Sequence, residues 1–246
     1  MKIITTSWDD GFKSCLKLAD ILKEYSLGAT FYVPVNAIEG KEVLDIESEE
    51  PFLNKKELRK LNEKFEIGAH GVTHEYLTKV DSEKLNREIK EGKRKMEEIL
   101  GENVYGIAYP GGMFNEEIIS LVEKSSYKYA RTTEDGKLKV FNRLKMPVSI
   151  FCHNTLISRG KFSLFAPFSK VYAFGGDWKK CILKGYENIK KEEGILHIAG
   201  HPQDLSNPQF EKKLRKTLSK IFNDSEIEYL TNAQTIERLR NKGNLE

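Results

Sequence analysis

The chain has 246 residues, of which 39% are hydrophobic and 31% charged, and its formal net charge is +3 at pH 7. This composition is typical of a soluble globular protein with a sizeable core, and it excludes a disordered chain. Basic and acidic residues are interspersed, so no nucleic-acid-binding surface is indicated. No apolar run has the length of a membrane span or of a signal peptide, which predicts a cytoplasmic protein without a membrane span.

The cysteines also favour a reducing compartment. Cys15, Cys152 and Cys181 are odd in number, widely spaced and without a C-x-x-C pair. Neither a disulfide framework nor a thiolate zinc site follows from this spacing. We interpret all three as small buried hydrophobic residues rather than as reactive thiols.

Short apolar runs alternate with amphipathic segments along the whole chain. Strands are predicted over 2–8, 29–35, 65–70, 104–112 (running into a loop), 127–133, 194–201 and 227–231. Helices are predicted over 12–25, 54–64, 81–101, 115–125, 178–192, 208–222 and 233–242. Asn54 is the expected N-cap of the second helix, and Gly101 is expected to end the third, whose charged residues form a solvated face. This alternation predicts parallel strands with helices outside, as a barrel or a doubly wound sheet.

One stretch, 139–176, breaks the alternation. It contains several aromatic residues among loop-forming residues: Phe162, Phe165, Phe168, Tyr172 and Phe174. Long irregular segments of α/β folds often cover or surround a site. We therefore interpret 139–176 as a lid or rim insertion, or else as aromatic packing on the outer wall of the fold.

Unusual polar residues collect at the predicted carboxyl ends of strands. Asp9 and Asp10 follow the first strand, His70 and His74 follow the third, and His201 follows the apolar run over 195–200. In parallel α/β folds the active site is built at that end, because its loops vary without disturbing the scaffold. These residues are therefore expected to meet in one site.

The pair His70 and His74 has a spacing that suits metal binding. On a helical turn, residues four apart point to the same side. Two imidazoles and a carboxylate form a good site for a divalent ion such as zinc, and the alternative is an ordinary pair of surface or capping histidines. The zincin motif H-E-x-x-H is excluded, because Gly71 follows His70.

The adjacent carboxylates of Asp9 and Asp10 repel each other, and alone they would indicate a turn or a helix cap. A divalent cation beside them offsets that repulsion. One carboxylate would then bind the ion while its neighbour accepts a proton.

These motifs together resemble the polysaccharide deacetylase family, the NodB-homology carbohydrate esterases. That family has a T-F-D-D-G motif and an H-S/T-x-x-H motif, which read "TSWDDG" and "HGVTH" here. The resemblance implies that Asp9 is the catalytic base and that Asp10, His70 and His74 bind one divalent metal, with zinc first and cobalt or manganese as alternatives. It extends from residue 3 to about residue 204 and is strongest over the first 75 residues.

The third family motif, R-x-P-x-G, is incomplete in this sequence. The stretch "AYPGG" has Ala108 in place of the Arg that holds the base in the family. We predict that Arg131, at the end of the next strand, reaches Asp9 instead. The resemblance also makes the backbone N–H of Tyr109 the candidate donor to the oxyanion.

The last two family motifs imply a general acid. "GGDWKK" supplies Asp177 and Trp178, and "LHIAGHPQD" supplies two candidate acids, His197 and His201. The likeness to members with a G-H-S/P pattern favours His201. Asp177 is expected to keep the imidazole of His201 charged. Trp178 is expected to lie near the substrate.

The resemblance therefore implies a single-domain α/β protein over 1–246, a distorted, TIM-like (β/α) barrel with about seven parallel strands. It implies hydrolysis of an N-acetylated sugar, as a small saccharide or glycoconjugate, to acetate and a free amine. Three alternatives stay open: a catalytically impaired saccharide-binding protein, an amidase of a non-sugar, and an iron oxygenase that uses two histidines and one carboxylate. The repeated β/α pattern disfavours the oxygenase.

Overall fold

The computed structural model describes residues 1–46, 48–153, 177–243 and 245. In this part of the chain the strands are β1 (Lys2–Trp8), β2 (Ala29–Val33), β3 (Glu66–Ala69), β4 (Gly106–Ala108), β5 (Tyr129–Arg131), β6 (Ile150–Cys152), β7 (Gly194–Gly200) and β8 (Glu228–Tyr229). The helices are α1 (Ser14–Glu24), α2 (Val35–Glu39), α3 (Lys55–Asn62), α4 (Ser82–Asn86), α5 (Gly92–Leu100), α6 (Glu116–Lys124), α7 (Trp178–Lys191), α8 (Pro208–Leu218) and α9 (Asn232–Asn241). A π-helical turn, Arg87–Glu91, joins α4 to α5.

Strand β1 is the centre of the sheet. The strand order is β5-β4-β3-β2-β1-β7-β6, and every pairing is parallel. β7 pairs with β1 along the whole length of β1. β2 pairs with the carboxyl half of β1, and β8 pairs with the amino half of β1. Because both faces of β1 are covered, nearly all of its residues are buried, which explains a strand without polar alternation.

Residues 146–149 bond to β5, at one edge of the sheet, and to β7, the strand next to the other edge. The N–H of Met146 donates to the carbonyl of Ala130 on β5 at 2.9 Å, and the N–H of Ser149 donates to the carbonyl of His197 on β7 at 2.8 Å. The sheet therefore curls toward a barrel. The predicted α/β class and the distorted (β/α) barrel with about seven parallel strands are confirmed, with β8 as a further short strand.

The second strand and the stretch over 139–176 differ from the sequence prediction. The strand predicted over 29–35 ends at Val33, because Pro34 cannot donate to the ladder and instead precedes α2. Within 139–176, residues 150–152 form β6, which is too short for its periodicity to be recognised. The aromatic residues from Phe162 to Phe174 lie outside the described residues, so the lid or rim there stays a prediction.

Several local predictions are confirmed. Asn54 caps α3 and forms a capping box with Glu57, and Gly101 ends α5 in the left-handed conformation. All three cysteine side chains are buried. Among the helices that the structure describes, none is both long enough and apolar enough to cross a membrane.

Candidate active site

The two adjacent aspartates leave the end of β1 in different directions. The N–H of Asp9 still continues the ladder, donating to the Gly200 carbonyl at 3.1 Å. Asp10 and Gly11 then both adopt the left-handed conformation, with φ of 77° and 76°. For an aspartate this costs on the order of 1 kcal/mol. The turn places two buried carboxylates beside different partners, which separates their chemistry.

Asp10 faces the two predicted histidines. Its Oδ1 lies 3.9 Å from Nε2 of His70 and 3.7 Å from Nε2 of His74. One potential ligand atom from each of the three residues lies within 4.8 Å of the other two, and all three residues are buried. The structure therefore brings together the three residues that the sequence proposed as metal ligands.

Backbone carbonyls determine the tautomer of both histidines. Nδ1 of His70 lies 2.8 Å from the Ala108 carbonyl, and Nδ1 of His74 lies 3.1 Å from the Leu44 carbonyl. A carbonyl only accepts, so each Nδ1 carries a hydrogen and each ring directs Nε2 toward Asp10. Burial, with the neighbouring His74, lowers the pKa of His70 to about 4, which keeps it neutral at pH 7.

This arrangement fits a divalent cation. The Asp10 carboxylate and two Nε2 lone pairs are all acceptors, so they repel one another when nothing positive lies between them. One carboxylate and two imidazoles are also the ligand set that zinc accepts in catalytic sites, where a position is left for water. We therefore treat Asp10, His70 and His74 as a candidate metal centre.

A loop, and not the expected helical turn, brings His70 and His74 to the same side. Residues 70–74 are not helical, and Gly71 and His74 are both left-handed, with φ of 78° and 68°. Two such residues in one short loop turn the chain back on itself. The rings of His70 and His74 consequently meet edge to face, with their centroids 4.6 Å apart.

Asp9 is held by Arg131, as the sequence analysis proposed. Nη2 of the fully buried Arg131 donates to Oδ1 of Asp9, and its guanidinium lies 5.1 Å from the Tyr32 ring centroid. Burial by itself raises the pKa of Asp9, but the charge and hydrogen bond of Arg131, together with the nearby His70 and His201, outweigh burial and hold that pKa below its ordinary value. Asp9 is therefore an ionised carboxylate, able to accept a proton.

The register of β4 and β5 explains how Arg131 reaches this place. Ala108, the position where the family has Arg, is the direct neighbour of Arg131 in the parallel pairing. The two positions lie at the same height on adjacent strands, and the small side chain of Ala108 leaves room beside it. Arg131 therefore brings a guanidinium to Asp9 from the strand next to the one that carries Ala108.

The two candidate acids occupy different environments. Nε2 of His201 lies 3.9 Å from Oδ2 of Asp10, its side chain is 31% exposed, and its ring lies 5.1 Å from that of Phe151. His197 is buried, with Nδ1 donating to the Pro147 carbonyl and Nε2 accepting from Ser7, each at 2.9 Å. Burial lowers the pKa of His197 to about 3. His201 is therefore the histidine with access to a substrate.

Three predicted roles do not agree with the structure. The N–H of Tyr109 donates to the Arg131 carbonyl at 3.1 Å as part of the β4–β5 ladder, so it is not available to an oxyanion. Trp178 is buried against Phe210 in the core, so little of its side chain is accessible to a substrate. Asp177 pairs with Lys213 at 2.9 Å, and its ion pairs within the described residues do not include His201.

Sequence reasoning missed one side chain that touches the site. Nε2 of Gln203 donates to Oδ2 of Asp10 at 3.2 Å, which leaves Oδ1 facing the two histidines. Gln203 comes two residues after His201, at the end of β7. Its position in "GHPQD" was the available signal, because Asp9, Asp10, His70 and His201 also come directly after a strand.

The fold and this group of side chains define a parallel (β/α) barrel with a candidate metal centre at the carboxyl ends of its strands. The family model for polysaccharide deacetylase matches residues 1–130, more than half of the 246 residues. The chain belongs to the polysaccharide deacetylase family.

Individual relatives agree with this assignment. Peptidoglycan-N-acetylglucosamine deacetylase from Bacillus cereus is 28% identical over 129 residues, which cover 52% of this chain and 54% of that protein. The chain spans about half the length of the curated relatives that it matches.

Solved structures show the same fold over nearly the whole chain. A "putative polysaccharide deacetylase" from Mycobacterium smegmatis has a TM-score of 0.72 at 15% identity, covering 98% of this chain and 92% of that one. A CE4 family pseudoenzyme from Bacillus anthracis has a TM-score of 0.57 at 12% identity, covering 96% and 65%. At these identities the likeness shows the shared fold alone.

Proposed function

We propose that this protein is a metal-dependent hydrolase that removes the acetyl group from an N-acetylated sugar, giving acetate and a free amine. One observation carries the proposal: a buried Asp–His–His group lies directly beside a second carboxylate that an arginine holds ionised. Asp10, His70 and His74 would hold the cation, zinc first and cobalt or manganese as alternatives. The cation would supply Lewis-acid polarisation of the acetyl carbonyl and of water.

The protein's own residues then move the protons. Asp9 accepts a proton from the attacking water while the water oxygen bonds to the carbonyl carbon. The C–N bond breaks, and the nitrogen keeps the electron pair and takes a proton from the His201 imidazolium. Arg131 holds Asp9 in place through its buried ion pair. Acetate and the amine together contain all the atoms of the water and the amide.

The proposal is tested by an acetate-release screen over short N-acetylated saccharides. The protein is first stripped with a chelator and then assayed with no metal and with Zn²⁺, Co²⁺ or Mn²⁺. We expect acetate release only after metal is added. Full activity of the stripped protein contradicts metal dependence, and release only from a non-sugar amide moves the assignment to an amidase.

A second candidate function is saccharide binding without catalysis, and Ala108 is the observation that favours it. The contact between Arg131 and Asp9 argues against it, because the missing guanidinium is replaced. Saccharide binding without acetate release at any metal concentration would support this candidate.

Replacement of His197, on β7, and of His201, just after β7, should have different effects. His201→Ala is expected to lower kcat by about 100-fold or more, as for a lost general acid, with little change in Tm. His197→Ala is expected chiefly to lower Tm, because its bonds link β7 to β1 and to residues 146–149. Steady-state kinetics and thermal melts measure both, and an unchanged kcat in His201→Ala contradicts its role.

A further inference from the structure

Glu88 is a buried carboxylate, only 2% exposed, on the π-helical turn between α4 and α5. The ion pairs found in the described part of the chain do not include it. A carboxylate is costly to bury and must be compensated by hydrogen bonds when no cation is near. The groups that compensate Glu88 therefore show what it holds.

Among the described residues, the donors to Glu88 come from the loop between the two candidate metal ligands. Oε2 accepts from the N–H of Val72 at 2.8 Å and from the N–H of Thr73 at 3.0 Å. Oε1 accepts from the Thr73 hydroxyl at 2.9 Å. Val72 and Thr73 lie between His70 and His74. One carboxylate therefore accepts hydrogen bonds from two adjacent N–H groups of this loop.

The carbonyl groups of the same loop are bound on the other side. The Gly71 carbonyl accepts from the N–H of Val35 at 3.2 Å, and the Val72 carbonyl accepts from that of Asn36 at 2.9 Å. Both donors lie in the first turn of α2, where N–H groups lack partners within the helix. The loop is thus held between α2 and Glu88.

Gly71 fits this role of Glu88. Its φ is +78°, and a Cβ there would lie 2.6 Å from Oε2 of Glu88. The family motif has Ser or Thr at this position, whereas here the carboxylate fills the space that a side chain would take. The left-handed His74 ends the same loop, with its ring toward Asp10.

We infer that Glu88 is a positioning residue: it fixes the loop over 70–74 and thereby aims the Nε2 atoms of His70 and His74 at the cation. The inference rests on the proposed function, because it assumes that these two nitrogens bind a metal. A merely structural Glu88 would stabilise the fold without affecting metal affinity. The two roles are therefore separable by measuring both quantities.

The test compares metal binding by the full chain and its variants. Glu88→Gln keeps the shape but places an amide NH₂ among N–H donors, and Glu88→Ala removes every bond. Glu91→Gln is the matched control, since Glu91 is exposed on the same π-helical turn. Zn²⁺ affinity is measured by competition with a chromophoric chelator, ligand geometry by the visible absorption of bound Co²⁺, and folding by Tm.

We expect Zn²⁺ affinity to fall about 10-fold in Glu88→Gln and up to about 100-fold in Glu88→Ala, with a changed Co²⁺ spectrum. Glu91→Gln should match the wild type. If Glu88→Ala does not fold, then Glu88→Gln and Thr73→Val, which removes only the hydroxyl bond, decide the outcome. Folded Glu88 variants with wild-type affinity and spectrum overturn this inference alone, whereas a wild-type chain that binds no Zn²⁺, Co²⁺ or Mn²⁺ overturns it together with the proposed function.

Discussion

Replacement of His70 or of His74 by alanine is expected to abolish both metal retention and acetate release. Each histidine contributes one of the three groups whose ligand atoms lie within 4.8 Å of one another. Removing one leaves a carboxylate and a single imidazole, too few to hold a zinc ion that still carries substrate or water. Metal content per chain after dialysis and initial rates of acetate release measure the two losses.

Two further variants show whether the losses are specific. His153→Ala removes an imidazole that stacks on Phe151, outside the Asp–His–His group, and should retain the metal. Asp9→Asn should also retain the metal but lose the rate, because the amide no longer accepts a proton. A His70→Ala protein with full metal content and full rate would exclude this centre.

The sequence predicted the position of the candidate site because most of its residues come just after a buried strand. Asp10, His70 and His201 all come directly after or close to an apolar run, and parallel strands bring such ends together. This placement depends on the strands being parallel, which the alternation of strands and helices predicts. The candidate metal ligands could therefore be identified from the sequence alone.

The predictions that failed depend on local backbone geometry. The N–H of Tyr109 follows β4 in the sequence, but whether it is free depends on pairing with β5, which occupies it. The loop over 70–74 reads as one helical turn, yet Gly71 and His74 are left-handed. Trp178 was placed by a family motif, while the structure buries it under α8. Pairing partners and φ signs are not encoded in residue spacing.

Glu88 shows a different limit of sequence reasoning. The helix predicted over 81–101 has the expected buried stripe, including Leu85, Ile89 and Met96. Glu88 was assigned to the solvated face with the other charges, although it follows Leu85 by three residues. A buried carboxylate is uncommon enough that charge alone predicts exposure, and only the partners on the loop over 70–74 explain it.

Replacement of Arg131 by alanine is expected to cause large losses of both stability and rate. The variant leaves the Asp9 carboxylate buried without its cation, and breaking such a pair typically costs about 3–5 kcal/mol of unfolding free energy. It also frees the carboxylate to move, and a small misplacement of a reacting group costs about 100-fold in rate. Urea unfolding and acetate-release kinetics measure these effects. Unchanged turnover would show that Arg131 does not steady Asp9.

A control variant and a compensating double variant show whether Asp9 needs only a nearby positive charge or needs that charge to come from β5. Arg94→Ala breaks an exposed ion pair with Glu98 and should cost less than about 1 kcal/mol with no change in rate. In Arg131→Ala/Ala108→Arg, the guanidinium starts from the neighbouring position at the same height of the sheet. Part of the lost rate should return, because what Asp9 requires is a buried positive charge within hydrogen-bonding reach. A double variant slower than Arg131→Ala would instead mean that only β5 can place that charge.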